Sequence, residues 1–417
     1  MIWQNSINNY MTNVYHNDYI TYLSSYTARG SRWTEDQAKS IIIADEISTL
    51  INSCYQLREL YIGEEIMHVF ASPKVIQIIF SQQNRLNTID LTGFCDRNCT
   101  QTIADFFKPK TKKRKLVVVE KLAIEELDND ELEDAVNDHW SIPRELENIS
   151  FYMCMALSQE HFFIPFFKKL STVDQELRKL DLAYTQITSE LFLHLKNMTK
   201  LTHLNLQGCH SLSCCSPLIC FLQNNCRELK ELNINMDFNG IGGSQFCSKC
   251  ISKIIRFGLH TTQSLDMSGH THLDDSILNQ ILITAEQQDH YFTNLRYFSI
   301  AYCQNISLRT LKRFLVRLPN VVYLNLAHTP LTTDANYLTY VLKIISSITE
   351  KIRVIEFSPF SSRKYPIQIE NWRLINQGRR TYYALEDIGS PFFHSRKIIL
   401  SNDKTLSPMN KYWSYSY

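Results

Sequence analysis

A short frame, Leu-x-x-Leu-x-Leu, recurs along this chain and restricts its fold more than any other feature. It is cleanest in Leu177–Cys209, LRKLDLAYTQITSELFLHLKNMTKLTHLNLQGC, which carries Leu177/Leu180/Leu182 and then Leu201/Leu204/Leu206. Between them Leu191, Leu195 and Met198 recur at helical spacing. A period-2 strand, a turn and a period-3.6 helix, repeated, are the signature of a leucine-rich repeat. Further frames stand at Leu57/Leu60/Ile62, Leu86/Ile89/Leu91, Leu146/Ile149/Phe151 and Leu229/Leu232/Ile234. A weak one holds Leu265 and Met267, and Leu295/Phe298/Ile300, Val321/Leu324/Leu326 and Ile352/Ile355/Phe357 complete the series. Successive final positions are 29, 60, 31, 24, 28, 33, 33, 26 and 31 residues apart. The spacings of 24–33 fit the long, helix-bearing repeat. The step of 60 is twice 30, so a degenerate repeat is expected inside it, with Leu116–Val119 as strand and Leu132, Val136 and Trp140 on its helix. The expected fold is α/β, a leucine-rich-repeat horseshoe with a parallel concave sheet, convex helices and ten or eleven strands.

A solenoid grows by adding units, so 417 residues need no second core. Residues 1–50 hold no frame and read as an N-terminal cap, residues 51–360 as the solenoid, and residues 361–417 as a C-terminal cap running into a tail. Two stretches break the regularity. Residues 108–140 open with KPKTKKRK and continue into nine acidic residues between Glu120 and Asp138. Asp237–Cys250, DFNGIGGSQFCSKC, lengthens one repeat. On the convex side Leu308, Leu311, Leu315 and Leu318 form one apolar stripe and Leu338, Val341, Leu342, Ile345 and Ile348 another, with Lys312, Arg313, Arg317 and Lys343 on the solvated faces.

Net charge is +1, from 43 basic and 42 acidic residues, which gives no pull towards nucleic acid or an anionic membrane. No apolar run approaches the roughly 18 residues needed to span a bilayer. The start, MIWQNSINNYMTNVYHNDY, lacks the basic end and apolar stretch of an export signal. The twelve cysteines are therefore expected as reduced thiols in the cytoplasm or nucleus.

Three residues beyond the final frame position stand Cys154, Thr185, Cys209, His270, Cys303 and Thr329, with Cys95 one place off register. There the chain leaves the strand, and a small polar side chain can satisfy inward-turned backbone groups. Cys247-x-x-Cys250 has metal-ligand spacing, but a zinc site needs four ligands, and only Cys214/Cys215 or Cys226 could supply the others. His270 is the corner residue of its repeat, and Asp274 or Asp275 is expected to cap the next helix. Gly240, Gly242 and Gly243 lack the Lys-Ser/Thr of a phosphate loop. No catalytic residue, metal site or cofactor is expected, and the chain does not read as an enzyme. The run Lys112, Lys113, Arg114, Lys115 is a candidate nuclear-import signal.

The repeat itself creates a surface. Side chains alternate faces along a strand, so residues between the frame leucines are expected on the concave face. The candidate partner-binding residues are Lys179, Asp181, His203, Asn205, Glu231, Asn233, Asp266, Tyr297, Ser299, Tyr323 and Asn325. At about 4.8 Å between strands, ten of them make a surface roughly 45 Å long, enough for a standard protein interface.

The frames LRKLDLAYTQIT, LTHLNLQGCHSL, LRYFSIAYCQNIS and VVYLNLAHTPLT resemble the cysteine-containing leucine-rich repeats of F-box proteins, over about residues 50–360. NWRLINQGRRTYY (Asn371–Tyr383) resembles the ends of fungal members. The resemblance implies a protein that binds a substrate on its repeats and delivers it to a cullin-based SCF ubiquitin ligase. The family's F-box opens with Leu-Pro, whereas the first proline here is Pro73. No F-box is expected within this chain, so adaptor and cullin become partners only if one lies upstream. The alternative is a repeat protein that binds a regulator without ubiquitin transfer. A GTPase activator on the same fold is set aside, since that family is more regular in period and ends in an acidic tail, while this chain ends NKYWSYSY.

Overall fold

The computed structural model describes residues 57–62, 77–81, 85–91 and, with short breaks, 140–236 and 246–357. It also describes strand segments at 21–23, 368–369, 372–377 and 380–385, and the single residues Thr49 and Ser53. Each frame becomes one short strand: β2 (Glu59–Ile62), β3 (Thr88–Asp90), β4 (Asn148–Ser150), β5 (Lys179–Asp181) and β6 (His203–Asn205). They continue as β7 (Glu231–Asn233), β8 (Ser264–Asp266), β9 (Tyr297–Ser299), β10 (Tyr323–Asn325) and β11 (Val354–Phe357). These pair in parallel in chain order, with central frame residues in register, as in Leu180↔Leu204 and Leu204↔Leu232. A strand that the frames do not announce, β1 (Thr21–Leu23), pairs in parallel with β2. At the other end β12 (Gln368–Ile369), β13 (Trp372–Gln377) and β14 (Arg380–Leu385) form an antiparallel unit whose β14 pairs with β11. An open parallel sheet of one strand per repeat, backed by helices, is a leucine-rich-repeat solenoid.

The frame residues form the spine of the core. Leu180, Leu182, Leu204, Leu206, Phe298 and Leu326 are fully buried. Behind them lie α1 (Ile164–Ser171), α2 (Ser216–Asn225), α3 (Ser248–Thr261), α4 (Asp275–Gln287), α5 (Leu308–Val316) and α6 (Ala335–Ile348). Asp274 caps α4 by accepting from the Ile277 amide, and Ser307 caps α5 by accepting from Thr310. The expected stripes face inward: Leu311, Leu315 and Leu318 are buried, as are Leu338, Val341, Leu342 and Ile345. Near β4 the core is aromatic, with Phe166 against Phe80, Trp140, Phe151 and Phe162 at centroid distances of 5.4–6.4 Å.

Three expectations change. Thr88↔Asn148 pairing joins β3 directly to β4, so no strand from Leu116–Val119 intervenes in the sheet, and the step of 60 residues is an excursion between adjacent strands. Leu116–Val119 and the acidic stretch lie outside the described residues. The run through Leu191 forms a 3₁₀ turn, Ser189–Leu193, because the 24-residue spacing leaves room for little more. Arg313 and Arg317 are not simply solvated: Arg313 forks onto Glu286, and Arg317 bonds Asp289 at 2.9 Å.

The corner residues do what their spacing implies. Cys154 donates to the Leu91 carbonyl at 2.9 Å, and Cys209 to Leu182 at 3.1 Å. Thr185 and Thr329 each reach a carbonyl three residues back at 2.7 Å, and His270 Nε2 donates to the Ile234 carbonyl at 2.8 Å. Cys95 lies outside the described residues. One residue before this corner the backbone turns left-handed, at Tyr184, Gly208, Gly269, Tyr302 and His328. Amides of Tyr184, Gly208, Gly269 and Tyr302 then bond the next repeat at 2.7–2.8 Å.

Candidate functional site

From β3 to β10 the last residue of each strand lies on the concave face. Asp181 Oδ1 accepts from the Ala183 amide at 3.0 Å, and Asn205 does the same for Gln207 at 3.1 Å. Asn233, Asp266 and Asn325 repeat the bond to residues 235, 268 and 327 at 3.0 Å. Each is a local turn in which the side chain takes an amide that has left the strand ladder. The register therefore selects Asp or Asn because the corner needs an acceptor there. Asp181, Asn205, Asn233, Asp266, Ser299 and Asn325 are all at most 5% exposed.

This corrects the expectation that these side chains lie open to a partner. Strands only about 4.8 Å apart, curved inward, bring their polar tips together, and the contacts run along the row. Ser268 Oγ and Ser299 Oγ are 2.7 Å apart, and Asn233 donates to Gln207 at 3.2 Å. Tyr297 and Tyr323, the expected anchors, are 5% and 2% exposed. Their rings lie 6.3 Å apart, and the Tyr323 hydroxyl donates to Glu356. His203 and Glu231 are also buried, with Nε2 and Oε1 3.6 Å apart. Burial, with Lys179 and Lys230 nearby, lowers the His203 pKa to about 3, so the imidazole is neutral and the contact is not an ion pair. Burial raises Asp181 to about 7, and Asp90 adds to the rise. Of the expected partner-binding residues, Lys179 alone is not buried, and it is half-buried.

The accessible row lies one residue earlier, at the first x of each frame: Arg58, Asn87, Glu147, Arg178, Thr202, Lys230, then Gln263, Arg296, Val322 and Arg353. None is buried. Their backbones are held alike: each carbonyl from Arg58 to Val322 accepts two amides of the next repeat, as Arg178 does from Thr202 and His203 at 2.8 and 3.0 Å. The main chain is locked while the side chain leaves the sheet edge. Arg58 pairs with Glu145, and Arg178 stands 3.8 Å from Glu147. Among the described residues Lys230, Arg296 and Arg353 have no acidic partner. Period-2 reasoning missed this rim because it follows the strand, whereas these residues precede it. The visible signal was the first x itself, basic in five of the ten frames.

No three His, Cys, Asp or Glu side chains gather as a metal site among the described residues. No helix among them is long and apolar enough to cross a membrane. The candidate import run Lys112, Lys113, Arg114, Lys115 lies outside the described residues.

Sheet, corners and rim together define the class, a leucine-rich-repeat solenoid. Compared with protein-family models and with curated protein sequences, the chain matches none. Among solved structures, the crystal structure of the Rad7 and Elc1 complex in yeast is similar at 11% identity and a TM-score of 0.39, covering 88% of this chain and 95% of that one.

Proposed function

We propose that this protein recognises a protein partner along the rim of its sheet, through Lys230, Arg296 and Arg353 with Lys179 and Arg178 beside them. The observation that carries this reading is that Lys230, Arg296 and Arg353, none of them buried, stand without acidic partners among the described residues on a rigid edge. Adjacent strands about 4.8 Å apart set these charges at regular intervals, a template for an acidic segment laid across the repeats. Exposed cations steer association and set specificity more than they add raw affinity. The finer reading, from the resemblance of the repeats, is a substrate-recognition subunit of an SCF-type ubiquitin ligase. A second reading is an adaptor that binds its partner on the same rim without ubiquitin transfer.

Affinity purification of the full chain beside a Lys230→Glu/Arg296→Glu/Arg353→Glu variant separates these. A partner retained by the first and lost by the second, at unchanged circular dichroism, supports rim recognition. A partner kept equally by both refutes it. Recovery of a cullin and its adaptor supports the ligase reading, and their absence beside a rim-dependent partner supports the adaptor.

A further inference from the structure

Among the described residues the corner cysteines contrast with Cys247 and Cys250. The corner thiols are sealed in the core, where burial pushes Cys209 and Cys303 up to about 12 and out of reach of thiolate chemistry. Cys247 and Cys250 are placed differently. Cys247 is the N-cap of α3, with φ −72° and ψ 159°, and makes no side-chain cap hydrogen bond. Cys250 is the third residue of that helix. N-cap and third-residue side chains naturally meet, as in the capping box of Ser/Thr and Glu. Here both positions carry sulfur, and the Cys247 thiol donates to Cys250 Sγ at 3.4 Å. Cys247 is exposed, whereas Cys250 is 6% exposed.

We propose that Cys247 and Cys250 are a redox-active dithiol that closes to an intramolecular disulfide on reaction with a small anionic disulfide. Helix N-termini and Cys-x-x-Cys spacing favour the thiolate that begins such exchange. The accessible Cys247 attacks and the shielded Cys250 resolves, the division of labour that thiol exchange requires. Closure needs the sulfurs to approach to about 2.05 Å, a side-chain rotation at the exposed N-cap. The Cys247 thiolate attacks one sulfur of the small disulfide and expels the first thiolate. The Cys250 thiolate then attacks Cys247 Sγ of the mixed disulfide and expels the second. The two protein thiols lose two electrons and two protons, and the small disulfide gains both as two thiols.

The adjoining surface suits an anionic co-reactant. A groove of about 440 Å³ between α3 and α4 carries Lys249, Lys253 and Arg256, with Ser252 and Ser276 as hydroxyl donors. Among the described residues none of the three cations has an ion-pair partner. Asp274 also lines the groove, but its carboxylate already holds the Ile277 amide. Ser248 and Lys249, which line the groove, are the two residues between the cysteines of the motif, so the groove opens next to the dithiol.

The test uses the full chain with glutathione disulfide, followed by alkylation, tryptic digestion and mass spectrometry. Trypsin cuts after Lys249, so the proposed bond joins peptide 231–249 to peptide 250–253, at the cost of two hydrogens. Cys220, exposed on α2, is the internal control: it should stop at the mixed disulfide with glutathione, and Cys247 should do so only in Cys250→Ser. Cys247 held as a stable mixed disulfide in the unaltered chain, or Cys250 alkylated while Cys220 has reacted, overturns the proposal. Lys253→Ser/Arg256→Ser should slow the reaction with glutathione disulfide about tenfold and leave that with uncharged hydroxyethyl disulfide unchanged. Equal rates, or an equal fall with both reagents, removes the groove from the proposal.

Discussion

Asp181 offers a quantitative test of the concave row. Its carboxyl is fully buried, and burial followed by repulsion from Asp90 lifts it from 3.8 to about 7. The fold therefore holds a proton that the unfolded chain has released. Stability from this group is full below about pH 4 and is lost as pH rises through 7. The displacement corresponds to about 4 kcal/mol between those limits. Asp181→Asn removes the titration but keeps the oxygen that accepts from Ala183, and Asn205, Asn233 and Asn325 already make that bond in the same register. His203, lowered to about 3, and His270, lowered to about 4, act in the opposite sense. Both remain in the variant, so their contributions cancel in the comparison. Urea unfolding of both proteins at pH 4 and pH 8 should show the variant gaining about 3–4 kcal/mol over the original chain as pH rises. A difference that stays constant within about 1 kcal/mol would refute the idea that Asp181 is protonated in the fold.

Other perturbations test the frame. Gly269 has φ +78°, and a Cβ there would lie 1.9 Å from the Met236 carbonyl oxygen, so Gly269→Ala should cost about 3 kcal/mol or more in chemical denaturation. Phe166→Ala empties the centre of the aromatic cluster and should cost about 3–5 kcal/mol, read the same way. A complex held by Lys230, Arg296 and Arg353 should weaken steadily with added salt in a titration, because exposed charges are screened.

Much of the fold was legible because burial repeats with the chain. Leu180, Leu204 and Leu324 could be placed from spacing alone, and Cys209 and Thr329 followed from their distance to them. Strand β1 was not legible: Thr21–Leu23 carries no frame, since a strand at the end of a stack needs to match only one neighbour. The hidden repeat failed for a related reason. A spacing twice the period does not separate two repeats from one repeat with an insertion, and only the Thr88↔Asn148 register decides. At the site, alternation placed Asp181 and Asn205 on the correct face but misjudged their depth. Period-2 logic says which way a side chain points, not whether its neighbours close over it.

That distinction underlies the proposal that the rim, and not the strand ends, carries recognition. Strands β2 to β11 are only three or four residues long, so the residue that ends a strand also begins the corner. A side chain there must serve the amide two residues on, and substituting it for a partner's sake would break a turn. At the other end of the strand, the residue before Lys179, His203 or Glu231 contributes its carbonyl to two amides, a task independent of side-chain identity. The carbonyl's task therefore leaves the side chain at that position open to different residue types. Arg178, Thr202, Lys230, Gln263, Arg296, Val322 and Arg353 vary in charge and size accordingly, while their counterparts at the strand ends from β5 to β10 are restricted to Asp, Asn and Ser. A recognition surface requires positions that the backbone leaves free to vary, and the proposed rim meets that requirement better than the strand ends.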